Sequence, residues 1–283
     1  MSLIDARLDA RPVAAARIVI GLVCLVRAFE AARVMSLVLA PSSAPMPLFD
    51  WSPRLTPDQL PAFILLWEVA ALAFAAGLRT RVAGGVLAAV MGSSLLLDQQ
   101  LYFSHLYLLT LVVVLLTLAD CGARYSVDAR TRGARRSVPA WPVTLLKLQL
   151  SIVYFFAGVT KINSQYLSGS VIEHVFKREG VGALPELLRS PRILAALALS
   201  SVLLEIALAF AFWSRRARVP AVLAGACFHL MMVATITPGV SVQLAIFAVV
   251  MLSLYPLFFA GPAPAPSGEF SPAPLLENLD SRM

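Results

Sequence analysis

Long apolar runs separated by short polar loops dominate the chain. A membrane-spanning helix needs about 20 mostly apolar residues. Eight stretches approach that length, at approximately 13–39, 60–78, 82–98, 102–119, 142–162, 193–213, 219–237 and 241–260. The third is short, and the first is unusually charged, with Arg17, Arg27, Glu30 and Arg33. The fourth, sixth and eighth are the clearest, near-continuous runs of Leu, Val, Ile, Ala and Phe. They are too long for strands and do not alternate polar with apolar residues. The pattern predicts an all-α, polytopic integral membrane helical bundle of about eight transmembrane helices.

Two long loops, 40–59 and 163–192, separate the runs, and the second is expected to hold short interfacial helices at Val171–Phe176 and Leu184–Leu188. The tail from Gly261, with its PAPAPSG stretch, reads as a disordered linker. The expected division is one transmembrane domain, 1–260, and a C-terminal tail, 261–283. The charges in the first run break any h-region, so no cleavable signal peptide is expected.

Composition agrees with the pattern. Hydrophobic residues make up 59% of the 283 and charged residues 14%, against roughly 25% charged in soluble proteins. This excludes ordinary cytosolic enzymes, secreted disulfide scaffolds and disordered chains. The partner is the lipid bilayer. The net charge of +7 does not point to nucleic acid, because the basic residues cluster in a few loops. With the N-terminus inside, thirteen fall on inner segments, among them Arg79, Arg81, Arg130, Arg132, Arg135 and Arg218, and five on outer ones. Both termini are therefore expected in the cytoplasm. Arginine outnumbers lysine, which hints at a GC-rich bacterial genome and so at a bacterial inner membrane. Cys24, Cys121 and Cys227 are far apart, and no disulfide or zinc framework is expected.

Ionisable groups inside a membrane are expensive and therefore informative. Asp98, His105, Lys161 and His229 come from four separate helices and all lean to the outer side. Lys147, Tyr154 and Lys161 recur every seven residues, about two helical turns, and so share one face, with Ser151 and Gly158 beside them. A lysine in a low-dielectric cavity can serve as a base. Structural readings stand beside this one. Lys161 and Lys147 can snorkel to the headgroups, and His229 can be an interhelical hydrogen-bond partner. Glu68 and Glu205 can pair with Arg27 or Arg33. Tyr102, Tyr107, Tyr154 and Trp51 suit interfacial belts or packing as well as cofactor stacking. His174 is expected to face water. No GxGxxG, P-loop, GxSxG or HExxH motif is present, and no metal is expected.

Several blocks carry a family resemblance. VYFFAGVTKINSQYLSG (Val153–Gly169) resembles the signature of the vitamin K-dependent gamma-glutamyl carboxylases and of their horizontally transferred transmembrane (HTTM) relatives. LDQQLYFSHLYLL (Leu97–Leu109) is similar to the family segment with an aspartate seven residues before a histidine. ADCGARYSVD (Ala119–Asp128) resembles its inner loop, and Cys227–Phe258 its histidine-bearing penultimate helix and the helix after it. Glu205 falls where the family has an acidic residue. In the carboxylases a lysine deprotonates vitamin K hydroquinone. Oxygen then converts the cofactor to a base strong enough to take a glutamate gamma proton, and carbon dioxide adds. The resemblance implies Lys161 as base, with His105 and Asp98 in the same site; Tyr154, His229, Tyr166 and Glu205 are expected as substrate- or cofactor-binding residues. It implies vitamin K hydroquinone or menaquinol as cofactor. Thr160 stands where the family often has a first lysine, and Asn163, Ser164, Gln165 and Tyr166 replace acidic residues and a tryptophan. The family's long lumenal domain is expected to be missing, so a separate peptide or protein partner is expected. The first expectation is a quinol-driven membrane enzyme acting on a partner peptide or small molecule. The alternatives are an accessory membrane protein for peptide maturation or export, and a transporter.

Overall fold

The computed structural model describes residues 6–38, 55–178, 190–235 and 238–263. A short strand, β1 (Arg7–Asp9), leads into α1 (Ala10–Val38). Then follow α2 (Leu60–Ala76), α3 (Thr80–Leu97) and α4 (Ser104–Leu118). A polar segment with α5 (Val127–Arg132) and β2 (Ser137–Pro139) separates these from α6 (Ala140–Thr160). The short helices α7 (Ser164–Leu167) and α8 (Ser170–Arg178) come next, then α9 (Pro191–Ala211), α10 (Arg218–Thr235) and α11 (Pro238–Leu254). Exposed leucine, valine and phenylalanine side chains cover the outside, including Phe29, Leu65, Leu203 and Phe210. Lipid is the solvent that makes such a surface stable.

Among the described residues six segments are long and apolar enough to cross a bilayer: Ala10–Val38, Pro57–Ala76, Thr80–Leu97, Ala140–Thr160, Pro191–Ala211 and Val242–Phe259. Two of the expected spans are shorter apolar helices, Ser104–Leu118 and Arg218–Ala234. The first of these begins two residues later than its apolar run. Asp98 ends α3 in an extended conformation, and its Oδ1 accepts the Gln100 N–H at 2.8 Å, capping a 3-10 turn at Gln99–Leu101. Phe103 is also extended, so helix begins only at Ser104. At 15 residues, α4 is roughly 22 Å long, short of the roughly 30 Å hydrocarbon core.

A two-stranded antiparallel sheet was not expected. It pairs Arg7 with Pro139, Leu8 with Val138 and Asp9 with Ser137. Leu8 also bridges Pro262, and Asp9 N–H donates to Gly261 O at 3.1 Å. The two ends of the bundle and its middle loop thus meet at one face. Arginines gather there: Arg136 O accepts the Ala10 N–H at 3.0 Å, and Arg218 lies 5.5 Å over the Phe259 ring.

One buried charge organises this end. Arg17, on α1, is fully buried. Its Nη1 donates to Cys121 O (3.2 Å) and Arg124 O (3.4 Å), and its Nη2 to Tyr125 O (2.5 Å). The guanidinium so ties α1 to the backbone carbonyls of a loop about a hundred residues away. Gly77 ends α2 at φ +71 beside it, and a Cβ there would meet Arg17 Nη1 at 2.5 Å. Both the left-handed backbone and the space require glycine.

Of the other expectations, α8 (Ser170–Arg178) covers the predicted Val171–Phe176 helix, and its His174 is exposed. Leu184–Leu188, Trp51 and the tail from 264 lie outside the described residues. The three cysteines are free, Cys24 and Cys121 buried and Cys227 exposed.

Candidate functional site

Two polar clusters hang from α6. Lys161 caps its C-terminus, and Tyr154 lies two turns earlier. Lys161 Nζ stands 2.6 Å from both carboxylate oxygens of Glu205 on α9. The glutamate side chain is 5% exposed and the lysine 28%. The ammonium also lies 5.6 Å over the Tyr166 ring, whose hydroxyl is 2.8 Å from Ser201 Oγ, one helical turn before Glu205. Asn163 makes this return of the chain. Its Oδ1 accepts the Tyr166 N–H at 2.9 Å, and its Nδ2 donates to Thr160 O at 3.1 Å. The helices come close because residue 158 is glycine: a Cβ there would meet Ile206 Cγ1 at 2.6 Å and Val202 O at 3.2 Å.

Glu205 was expected to pair with Arg27 or Arg33, and the structure corrects this. Arg27 is ion-paired with Glu30 on its own helix, and Glu30 also accepts from Gln243 Nε2 at 3.0 Å. Among the described residues Glu68 makes no ion pair.

The second cluster is more deeply buried. The Tyr154 hydroxyl lies 2.8 Å from His229 Nε2 and is hydrogen-bonded to the Tyr255 hydroxyl. His229 is 1% exposed, and its Nδ1 has no partner among the described residues. Aromatic rings surround the three. Phe212 is 4.9 Å from Tyr255, and Phe228 is 5.7 Å from His229. Phe247 stands between the histidines, 5.7 Å from His229 and 4.9 Å from His105, measured between ring centroids.

Lys161, Glu205 and Tyr166 thus come together, as do Tyr154 and His229. His105 joins the second group through Phe247, with Arg27 near enough to act on it electrostatically. Asp98 is fully buried at the end of α3. Sequence reasoning missed Tyr255, Phe247, Ser201 and Gln243. A signal existed for Tyr255, since a tyrosine inside an apolar run needs a partner for its hydroxyl when buried. Lys147 lies toward the arginine-rich end, 5.8 Å over the Phe258 ring. Among the described residues no three His, Cys, Asp or Glu side chains are grouped to hold a metal ion.

Long lipid-facing helices around an interior of ion pair, histidine and tyrosines define a polytopic helical membrane protein with an internal polar site. The family model of the HTTM domain matches residues 6–261, nearly the whole chain, and the chain belongs to the HTTM domain family. No solved structure matches it.

Proposed function

We propose that this protein is a membrane enzyme performing acid–base chemistry on a lipid-soluble quinol, with Lys161 as the base and Glu205 as its proton partner. The grouping of Lys161, Glu205 and Tyr166 beside the buried Tyr154–His229–Tyr255 chain supports the proposal. An apolar pair would fill the seam without the cost of desolvating two charges, and an intramembrane ion pair beside further buried polar groups points to function. The proton shared between Nζ and Oε moves over a single hydrogen bond. Passing it to the carboxylate leaves a free amine, which can accept another from a substrate hydroxyl. Tyr154, His229 and Tyr255 form a second hydrogen-bonded chain able to hold a hydroxyl or relay a proton.

Vitamin K hydroquinone or menaquinol suits these residues. Such a molecule presents a planar ring, two hydroxyls and an apolar tail. The buried His229 Nδ1, without a partner among the described residues, offers a hydrogen-bonding atom, and Phe228 and Phe247 offer ring faces. When bound, a quinol supplies an oxidisable, ionisable hydroxyl that side chains alone lack. The family connects the chain to proteins related to the vitamin K-dependent carboxylases, which supports a peptide or small-molecule substrate presented by a partner. By the excess of arginine at one end, that end faces the cytoplasm of a bacterial inner membrane, and the Lys161 end faces out.

The same ion pair also favours a second reading. A closed, two-oxygen contact is the geometry of a structural tie, as in an accessory protein for peptide maturation or export. Quinol turnover separates the two. Purified protein is given reduced menaquinone or vitamin K with oxygen and assayed for the epoxide, alongside Lys161→Ala and Glu205→Gln. Product that depends on Lys161 supports the enzyme. Folded protein that neither retains quinol nor forms epoxide supports the accessory reading.

A further inference from the structure

The end of the bundle away from Lys161 holds a cavity of about 630 Å³ between the α2–α3 turn and the α5 loop. Arg79, Arg81, Arg132 and Arg135 line it, against two carboxylates, Asp120 and Asp128. Both carboxylates are already engaged. Asp120 pairs with Arg135 at 2.5 Å and Arg81 at 3.6 Å. Asp128 accepts the Arg79 N–H (3.0 Å), the Thr80 N–H (2.7 Å) and the Thr80 hydroxyl (2.7 Å). The first N–H groups of α3 are thus occupied, so the helix end is not the binding element. Among the described residues the Arg79 and Arg132 guanidiniums have no ion-pair partner, and the cavity keeps a surplus of positive charge.

The walls are fixed before any ligand arrives. Arg17 holds the Cys121, Arg124 and Tyr125 carbonyls. Ser126 Oγ bonds Gly122 O at 2.6 Å and accepts the Ala129 N–H at 2.8 Å. These bonds fix the loop backbone, so the cost of binding falls mainly on ordering the exposed arginine side chains. Planar guanidinium forks match the oxygens of a phosphate and bind it through charge-assisted hydrogen bonds. The surroundings also fit a lipid. The membrane-length helix α3 starts at this cavity, Val82 lines it, and Val82 and Leu78 are both exposed apolar side chains. An acyl chain can lie along them with its headgroup in the cavity.

We infer that this cavity binds a phosphate group, presented by an acidic phospholipid headgroup or by a soluble phosphate ester. The site does not depend on the quinol chemistry assigned to Lys161.

The test uses the full chain, purified in a neutral detergent. Short-chain phosphatidylglycerol, phosphatidylcholine and glycerol 3-phosphate are titrated separately, with melting temperature and native mass spectrometry as readouts. Phosphatidylglycerol is expected to bind saturably and raise the melting temperature, with phosphatidylcholine weaker. Arg79→Gln/Arg132→Gln is expected to weaken binding about tenfold while still unfolding cooperatively without ligand. Arg79→Lys/Arg132→Lys, which keeps the charge but loses the forks, falls between the two and covers a failure of the glutamine variant to fold. Displacement of phosphatidylglycerol by glycerol 3-phosphate assigns the site to a soluble ester, and its failure to displace assigns it to the membrane lipid. No saturable binding of phosphatidylglycerol or glycerol 3-phosphate, or a folded glutamine variant that binds like the wild type, overturns the inference.

Discussion

Both carboxylate oxygens of Glu205 lie 2.6 Å from Nζ of Lys161, across the seam of α6 and α9. Removing one partner leaves the other charge, buried at Glu205 or partly buried at Lys161, uncompensated. For Lys161→Met or Glu205→Leu alone the expected cost is about 2 kcal/mol, below the range for fully buried pairs because the lysine is partly exposed. The double variant is expected to cost clearly less than the sum, since it removes both charges. Thermal unfolding of the four proteins measures the coupling. Strict additivity would show that the pair holds nothing together.

Gly158 makes that seam close enough for the pair to form. Gly158→Ala places a methyl 2.6 Å from Ile206 Cγ1 and near the Val202 carbonyl. The expected destabilisation is roughly 1–3 kcal/mol, the usual range for overpacking. Ile206→Ala in the same chain should restore part of it, because the nearest obstacle is a side-chain atom. Melting curves decide the matter, and a neutral Gly158→Ala would mean that the helices pack less closely than described.

Tyr154 is the middle of its cluster, bonded to both His229 and Tyr255. Tyr154→Phe therefore leaves two buried polar groups without that partner, and His229 Nδ1 already has none among the described residues. Tyr255→Phe leaves Tyr154 still bonded to His229. The loss is expected to be about 1–3 kcal/mol for Tyr154→Phe and smaller for Tyr255→Phe. Unfolding of the purified variants gives the ranking, and the reverse order would contradict the central place of Tyr154.

Much of this was legible in the pattern of residues. Lys161, Tyr154 and His229 stand out because each interrupts an apolar run, and the structure buries Tyr154 and His229 almost completely. Their partners were less legible. Glu205 was as conspicuous as Lys161, but spacing along one helix does not say which helix lies beside it. Arg17 was visible as a charge in the first run, while its acceptors are backbone carbonyls whose position only the folded loop defines. Hydropathy extended the fourth run back to 102, where the turn capped by Asp98 delays the helix to Ser104. Local hydrogen bonding decided that boundary against the apolar pattern.

The arginine-rich end should carry the protein's response to acid. Asp128 lies outside the membrane segments. Burial raises its carboxyl, but the Thr80 N–H and hydroxyl, the Arg79 N–H and the charge of Arg132 outweigh that and hold it below its ordinary 3.8. Asp9 is held low in the same sense, chiefly by its hydrogen bond from the Arg11 guanidinium. A carboxyl depressed in the folded state contributes stability that is complete above the unfolded value and is lost as pH falls through the folded one. These two groups are therefore expected to leave the melting temperature unchanged from about pH 7 to about pH 5 and to lower it once the pH drops below 3.8. Asp128→Asn should melt lower than the wild type at neutral pH, because it loses the charge that caps α3. It should also lose less on acidification, because no proton is left to bind there. Melting temperature against pH for the two proteins tests both statements, and parallel acid limbs would show that Asp128 does not set the response.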